Sequence, residues 1–231
     1  MRSSAVSAGA AGKIRAQMLH EGEVASLIFM RHGETDWNRQ RRVMGDADVP
    51  LNQAGREQSR LAAEVLGHFK VGRVVSSPLL RARASAEIVA EPLGLPVEFD
   101  GGLEEVRFGR WQGLTYDEIR RDPEYQGFIA DPLNNRTPGG ENVLDVEKRA
   151  CGVVERASGG ECTLFVSHGD IIRALICNFT AVPLKEFRRI RIDNCGLSAV
   201  AVADGRVEVK FVNVLADPGR AWDPVHWSGS T

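Results

Sequence analysis

The feature that most constrains this chain is a pattern that occurs twice. The apolar run at residues 24–30 stops at Arg31-His32-Gly33, and the run Cys162–Ser167 stops at His168-Gly169. A run that stays apolar at successive positions, instead of alternating, suits a strand buried on both faces. Such strands belong to parallel sheets covered by helices on either side. In these sheets ligands bind beyond the carboxyl ends of the strands. Two independent segments thus put a histidine where a ligand is expected. The two His-Gly pairs share too little sequence to argue an internal repeat.

The rest of the chain alternates in the same manner. Gln58, Leu61, Ala62, Val65, Leu66 and Phe69 recur at helical spacing and predict a helix over 53–69. Residues 73–76 read as a strand closed by Ser77-Pro78, and 79–90 as a helix ended by Pro92 and Gly94. Val97–Phe99 reads as a short strand. Val143, Val146, Ala150, Val153, Val154 and Ala157 share one face of a helix over 142–157. After Cys162–Ser167 a helix is expected over 171–179. Residues 187–192, Leu197–Ala203 and 207–214 read as strands, with Asp204-Gly205 turning the last two into a hairpin. The stretch 101–137 breaks the alternation. It is rich in charge, Gly and Pro, and reads as an insertion of short helical pieces, such as 115–121, over one end of the sheet. The expected fold is α/β: a three-layer α/β/α sandwich whose central sheet is mostly parallel, with helices on both faces. One domain is expected over 24–216, between a disordered tail at 1–23 and an irregular tail at 217–231.

Composition narrows the partners. A length of 231 residues suits one large domain. The net charge of −2 offers no basic surface for nucleic acid or an acidic membrane, so an anionic ligand needs a local positive pocket. No run approaches the roughly 18 apolar residues of a membrane span. Cys151, Cys162, Cys177 and Cys195 form no C-x-x-C pair and read as buried reduced thiols of a cytoplasmic protein, ahead of disulfides or a zinc site. Residues 1–23 lack the apolar core of a secretory signal. Arg2, Lys13 and Arg15 leave organelle targeting open as a second reading, and Met18 is an alternative start.

The residues at the strand ends suit phosphate. A phosphate monoester carries a charge of about −1.5 to −2. Its hydrolysis calls for fixed positive donors, an in-line nucleophile and an acid for the departing oxygen. Arg31 directly follows a buried strand. Arg81, in Ser76-Ser77-Pro78-Leu79-Leu80-Arg81-Ala82, falls in the first turn of a helix, where backbone N–H groups already favour an anion. Each guanidinium is a planar fork that matches two phosphate oxygens. Arg83 competes with Arg81 but faces elsewhere on the helix. Neutral His32 is the candidate nucleophile and His168 a candidate donor, whereas His20, His68 and His226 lack such a context. Both histidines with Asp170 or Glu34 would make a rival metal site. No H-x-x-x-H or H-x-H spacing supports it, and neither a metal nor an organic cofactor is expected.

Arg31-His32-Gly33-Glu34-Thr35-Asp36-Trp37-Asn38 resembles the signature of the histidine phosphatase superfamily, in its phosphoglycerate mutase-like branch. The resemblance continues through Gly45, Pro50-Leu51-Asn52, Gly55-Arg56-Glu57-Gln58, residues 76–82, residues 103–113, Pro138-Gly139-Gly140-Glu141 and Val166-Ser167-His168-Gly169. It implies that His32 becomes phosphorylated while Arg31, Arg81 and His168 surround the phosphate. It also implies that Asn38 adds a donor and Thr35 a further contact. The implied acid is a carboxylate four residues before the glycine of an aromatic-Gly pair. Counting back from Phe108-Gly109 gives Glu105, with Glu104 as the neighbouring alternative. Hydrolysis would then proceed in two steps, Glu105 acting first as acid and then as base.

Gly140 lies only 35 positions after Glu105. That resembles the phosphatase branch more than the mutases, whose insertion here is longer. Phosphoglycerate mutase-type transfer and a non-catalytic phospho-ligand binder stay as alternatives. The expected partner is a small phosphorylated metabolite, with no nucleic acid and no membrane. Arg107, Trp111, Tyr116 and Arg136, in or beside the insertion, are candidates for reading the leaving group, and Arg107 or Arg136 for a second anion. The 197–214 hairpin offers an edge through which a homodimer can form, and nothing in the sequence demands one.

Overall fold

The structure, a computed structural model, describes residues 24–157, 159–203 and 206–216. The expected tails at 1–23 and 217–231 and the turn at 204–205 lie outside the described residues. The strands are β1 (Val24–Arg31), β2 (Val71–Ser76), β3 (Val97–Phe99), β4 (Cys162–Ser167), β5 (Leu197–Ala203) and β6 (Arg206–Val214). They form one sheet in the order β3-β2-β4-β1-β5-β6. The pairs β3-β2, β2-β4 and β4-β1 are parallel, and β5 and β6 close one side as an antiparallel pair.

The reason β1 is mostly apolar is visible in where its side chains go. Ala25, Leu27 and Phe29 enter one core cluster, Ile28 and Met30 the opposite one, and all are fully buried. The helices are α1 (Asp36–Arg39), α2 (Gln53–Leu66), α3 (Leu80–Ala90), α4 (Tyr116–Ile119), α5 (Pro123–Ala130), α6 (Val143–Ala157) and α7 (Gly169–Thr180). The first cluster is covered by α6 and α7, the second by α2 and α3. An Asn52 cap fixes the start of α2, its side chain accepting from the Gly55 N–H at 2.8 Å. The helix stops at Leu66, earlier than its spacing predicts, although Phe69 still packs into the same cluster.

The segment 187–192 is not a strand. It begins inside a 3₁₀ turn, Leu184–Arg189, and continues as irregular chain. Its alternating pattern is satisfied without a ladder: Ile192 is buried in the first core cluster, and both flanks of β1 are taken by β4 and β5. Phe187 packs instead with Val43, Trp111, Ile119 and Phe128 in a third cluster, formed largely by the insertion. In the insertion α4, α5 and 3₁₀ turns at Gly101–Leu103 and Gly109–Trp111 account for the short helical pieces. All four cysteines are free thiols, and among the described residues no helix is long and apolar enough to cross a membrane.

Candidate active site

Because β2, β4 and β1 lie side by side and parallel, their carboxyl ends share one edge of the sheet. His32 follows β1, His168 follows β4 and Ser77 follows β2. The ends are tied together: the His32 N–H donates to Ser167 O and the Ser77 N–H to Val166 O, both at 2.9 Å. The positive N-terminal ends of α3 and α7 meet the same edge, putting Arg81 and Gly169-Asp170 there. Gly33 is dictated by close approach, but of protein and not of ligand. A Cβ at this position would lie 2.3 Å from Gly55 O at the start of α2.

The hydrogen bonds of His32 define its tautomer. Nδ1 lies 2.7 Å from Gly33 O, which can only accept, so Nδ1 carries the proton. Nε2 is left with its lone pair and accepts from Arg81 Nε–H at 3.3 Å. Burial, then the charges of Arg81 and Arg31, hold this imidazole well below its usual range, so it is neutral at pH 7. His168 is depressed likewise, by burial, Arg81, His32, Arg31 and Arg149. The two rings sit 5.2 Å apart between centroids. His168 Nε2 is 2.8 Å from Ser77 Oγ, which itself accepts from the Leu79 N–H. Ser77 Oγ keeps both a hydrogen to donate and a second lone pair, so it serves either tautomer of this ring. His168 Nδ1 and Arg31 Nε–H are buried and without a hydrogen-bond partner among the described residues.

Arg81 is fully buried yet, among the described residues, meets no carboxylate at contact distance. Its Nη1 and Nη2 donate to Ala47 O at 2.8 Å and Gly45 O at 2.7 Å. Burial pulls its pKa down to about 10, partly countered by Glu105, so it stays cationic. Arg31 Nη1 donates to Ile192 O at 2.8 Å, the service that the irregular 187–192 segment performs. Asn38 Oδ1 accepts from the Thr35 N–H and hydroxyl at 3.0 Å, which orients the amide and leaves Nδ2–H as a donor. Thr35 is thus committed as the cap of α1 and is not among the residues lining the cavity.

A cavity of about 290 Å³ opens at this edge, with Arg31, Asn38, Glu105, Gly169, Asp170 and Asn194 among its walls. Of the adjacent acids, Glu105 lines it and Glu104 does not. Burial and the negative charge of Asp170 push the Glu105 carboxyl up to about 7, against the pull of Arg81, the Val106 N–H and Arg31. Arg149 on α6 holds the loop that carries this acid. Its guanidinium donates to the carbonyls of Gly102, Glu104 and Glu105 and pairs with Glu141 at 3.0 Å. The Gly-Gly-Glu block therefore serves the acid loop indirectly.

The specificity candidates separate. Tyr116 lines the cavity and Trp111 an adjoining one. Arg107 and Arg136, like the buried His32, Arg81 and His168, are not in the wall of either volume. Their own neighbours take them, Glu141 at 3.6 Å and Asp145 at 2.6 Å. Sequence reasoning missed Arg41, Arg173 and Asn194, which do line the cavity. Asn194 Nδ2–H donates to His32 O at 3.0 Å, and Arg173 Nη1 to Asp170 Oδ1 at 2.7 Å. The Asp170-x-x-Arg173 spacing one turn beyond His168 was the available signal for Arg173. Asn194 left none. Among the described residues no three His, Cys, Asp or Glu side chains are grouped to hold a metal ion.

Comparison with known proteins gives the family. The model of the histidine phosphatase superfamily, branch 1, matches residues 27–215. A protein of Escherichia coli O1:K1 / APEC named probable phosphoglycerate mutase GpmB is 31% identical over 179 residues, 75% of this chain and 83% of that one. Mycobacterial glucosyl-3-phosphoglycerate phosphatase, solved with VO3, superposes with a TM-score of 0.71 at 28% identity, covering 82% of this chain and 98% of the other. Phosphoserine phosphatase of Entamoeba histolytica, in complex with 3-phosphoglyceric acid, gives 0.74 at 25% identity, covering 82% and 96%. With the family model matched over 27–215 and the fold shared with these structures, the chain belongs to the histidine phosphatase superfamily, as an enzyme of the phosphatase or mutase type.

Proposed function

We propose that the chain is a phosphomonoesterase that hydrolyses small phosphorylated metabolites through a phosphohistidine at His32, with side chains alone supplying the catalytic groups. The observation that carries this reading is the tautomer of His32. A neutral imidazole with Nδ1–H on Gly33 O keeps the Nε2 lone pair beside the Arg81 guanidinium. In the proposed cycle the phosphoryl oxygens draw Arg81 Nε–H away from Nε2 and are met by Arg31, Asn38 Nδ2–H and His168. Nε2 attacks phosphorus as the P–O bond to the alcohol breaks. Glu105, protonated because its carboxyl is raised to about 7, gives its proton to the departing oxygen. Water then attacks the phosphohistidine, its proton passing to Glu105, and inorganic phosphate leaves with His32 neutral again.

Relatives support hydrolysis through the two structures named as phosphatases. The second reading, phosphoryl return to a bound product, is favoured by the mutase name of the Escherichia coli relative. Phosphate release from a panel of monoesters, beside interconversion of 2- and 3-phosphoglycerate, separates them. Release is expected, with a loss of about 10³-fold or more in His32→Ala and an acid-labile phosphoryl group trapped on the wild type. Fast interconversion with negligible release would make the chain a mutase. No turnover on any ester would leave it a binder.

A further inference from the structure

Beyond the phosphate end the cavity continues into a second chamber of about 360 Å³. The two volumes share Arg41, Val43, Phe108, Tyr116, Asp170 and Arg173, so they are contiguous. The chamber is largely apolar on its far side, where Trp111 meets Tyr125 and Phe128 edge to face. Its charges do not balance. Asp170 is taken by Arg173 at 2.7 Å and Arg120 by Asp117 at 3.0 Å. Arg41 and Arg188 are exposed and have no carboxylate partner among the described residues. Arg188 is held over the rings of Phe128 and Phe187, at 5.0 and 5.2 Å.

Arg41 is also strained. Its φ of +55° lies in the left-handed region, unfavourable for a residue with a side chain. Two backbone bonds at 3.0 Å keep it there: its N–H donates to Asn38 O, and its carbonyl accepts from the Tyr116 N–H. The result is an uncompensated cation on the common wall of both volumes. The chain as a whole carries −2, so this excess is local.

We propose that the chamber is a subsite for a second anionic group, a carboxylate or a second phosphate, carried on an apolar body by the departing alcohol. Arg41 and Arg188 read that group. This rests on the hydrolase reading: the transferred phosphoryl group engages Arg31 and Arg81, and the two arginines of the chamber without a carboxylate partner are neutralised by another part of the same molecule. Neutral polyol phosphates leave them unpaired, and esters of amino alcohols meet like charge.

The test compares 4-carboxyphenyl phosphate with phenyl phosphate in the wild type, Arg41→Gly and Arg188→Gln. Glycine accepts the left-handed backbone, so the first substitution spares the fold. The wild type is expected to favour the carboxylate ester about tenfold in kcat/KM, mainly through KM, and each substitution to reduce that ratio roughly three- to tenfold. Differences in leaving-group reactivity cancel between variants. A ratio near one in the wild type, or one that neither substitution moves, overturns the subsite. Absence of turnover on both esters defeats the hydrolase reading instead. The same ratio is then read from Kd by calorimetry: equal affinities overturn the subsite, and a preference lost in Arg41→Gly sustains it.

Discussion

At Glu105 two influences that favour the neutral acid, burial and the charge of Asp170, outweigh three that favour the carboxylate, and the group is pushed up from 4.5 to about 7. The folded chain then holds a proton that the unfolded chain releases above about pH 4.5. Folding loses stability as pH rises through this interval, and the full cost is present above pH 7. Glu105→Gln removes the titration. It is expected to be more stable than the wild type at pH 8, by roughly 1–3 kcal/mol, and to gain little at pH 5. Denaturant midpoints at the two pH values measure this, and a difference that does not change with pH would show an unperturbed carboxyl. In the proposed mechanism the same substitution lowers kcat/KM by about 10²–10⁴. Wild-type kcat/KM should itself fall as pH rises through about 7, because the acid must be protonated when the ester binds. His32 faces the opposite demand and meets it through burial between two arginines, which keeps it neutral.

At the scale of elements, the acid is only as well placed as the loop that bears it. That loop has no regular ladder of its own. Its carbonyls at Gly102, Glu104 and Glu105 are gathered by Arg149 of α6, a mostly buried guanidinium paired with an equally buried Glu141. Arg149→Met keeps the apolar stem, leaves the Glu141 carboxylate only the Arg107 guanidinium at 3.6 Å and the Arg107 N–H at 3.0 Å, and releases three carbonyls. A loss of about 3 kcal/mol is expected, read as a lower melting temperature, together with at least a tenfold lower kcat in the chain that remains folded. If kcat per folded molecule were unchanged, the clamp would hold the fold and not the acid. None of this is visible locally in the sequence, since Arg149 stands 44 positions from Glu105. The helices and strands themselves were legible, because their periods are local. The segment 187–192 shows the complement: its alternation suits a strand, but its apolar side chains are buried by the clusters around Phe187 and Ile192, whose other members lie elsewhere in the chain.

For the whole molecule, the fold concentrates positive charge at one edge of a sheet in a chain whose net charge is −2. Burying Arg81 without a contacting carboxylate costs stability, which its lowered pKa expresses. An anion placed among Arg81, Arg31 and His168 offsets that cost. Inorganic phosphate or orthovanadate at about 100 times Kd is expected to stabilise the chain by about 2.7 kcal/mol, or roughly 5–10 °C in Tm for a chain of this size. Chloride at matched ionic strength should not do so. Arg81→Met should abolish the response, and a response retained in that variant would place the anion elsewhere.

The sequence by itself determined the alternation of buried strands and amphipathic helices, and with it an anion-friendly edge bearing Arg31, His32, Arg81 and His168. Each of those signals is carried by a few neighbouring residues and needs no distant partner. Tertiary structure decided what depends on segments meeting. It chose Glu105 over Glu104 for the cavity wall and turned Thr35 inward as a cap. It gave Arg107 and Arg136 to nearby carboxylates while leaving Arg41 and Arg188 unpaired beside the cavity. An arginine reads the same in sequence whether or not an acid waits for it. Only the folded chain settles which cations are spent on structure and which remain for a ligand.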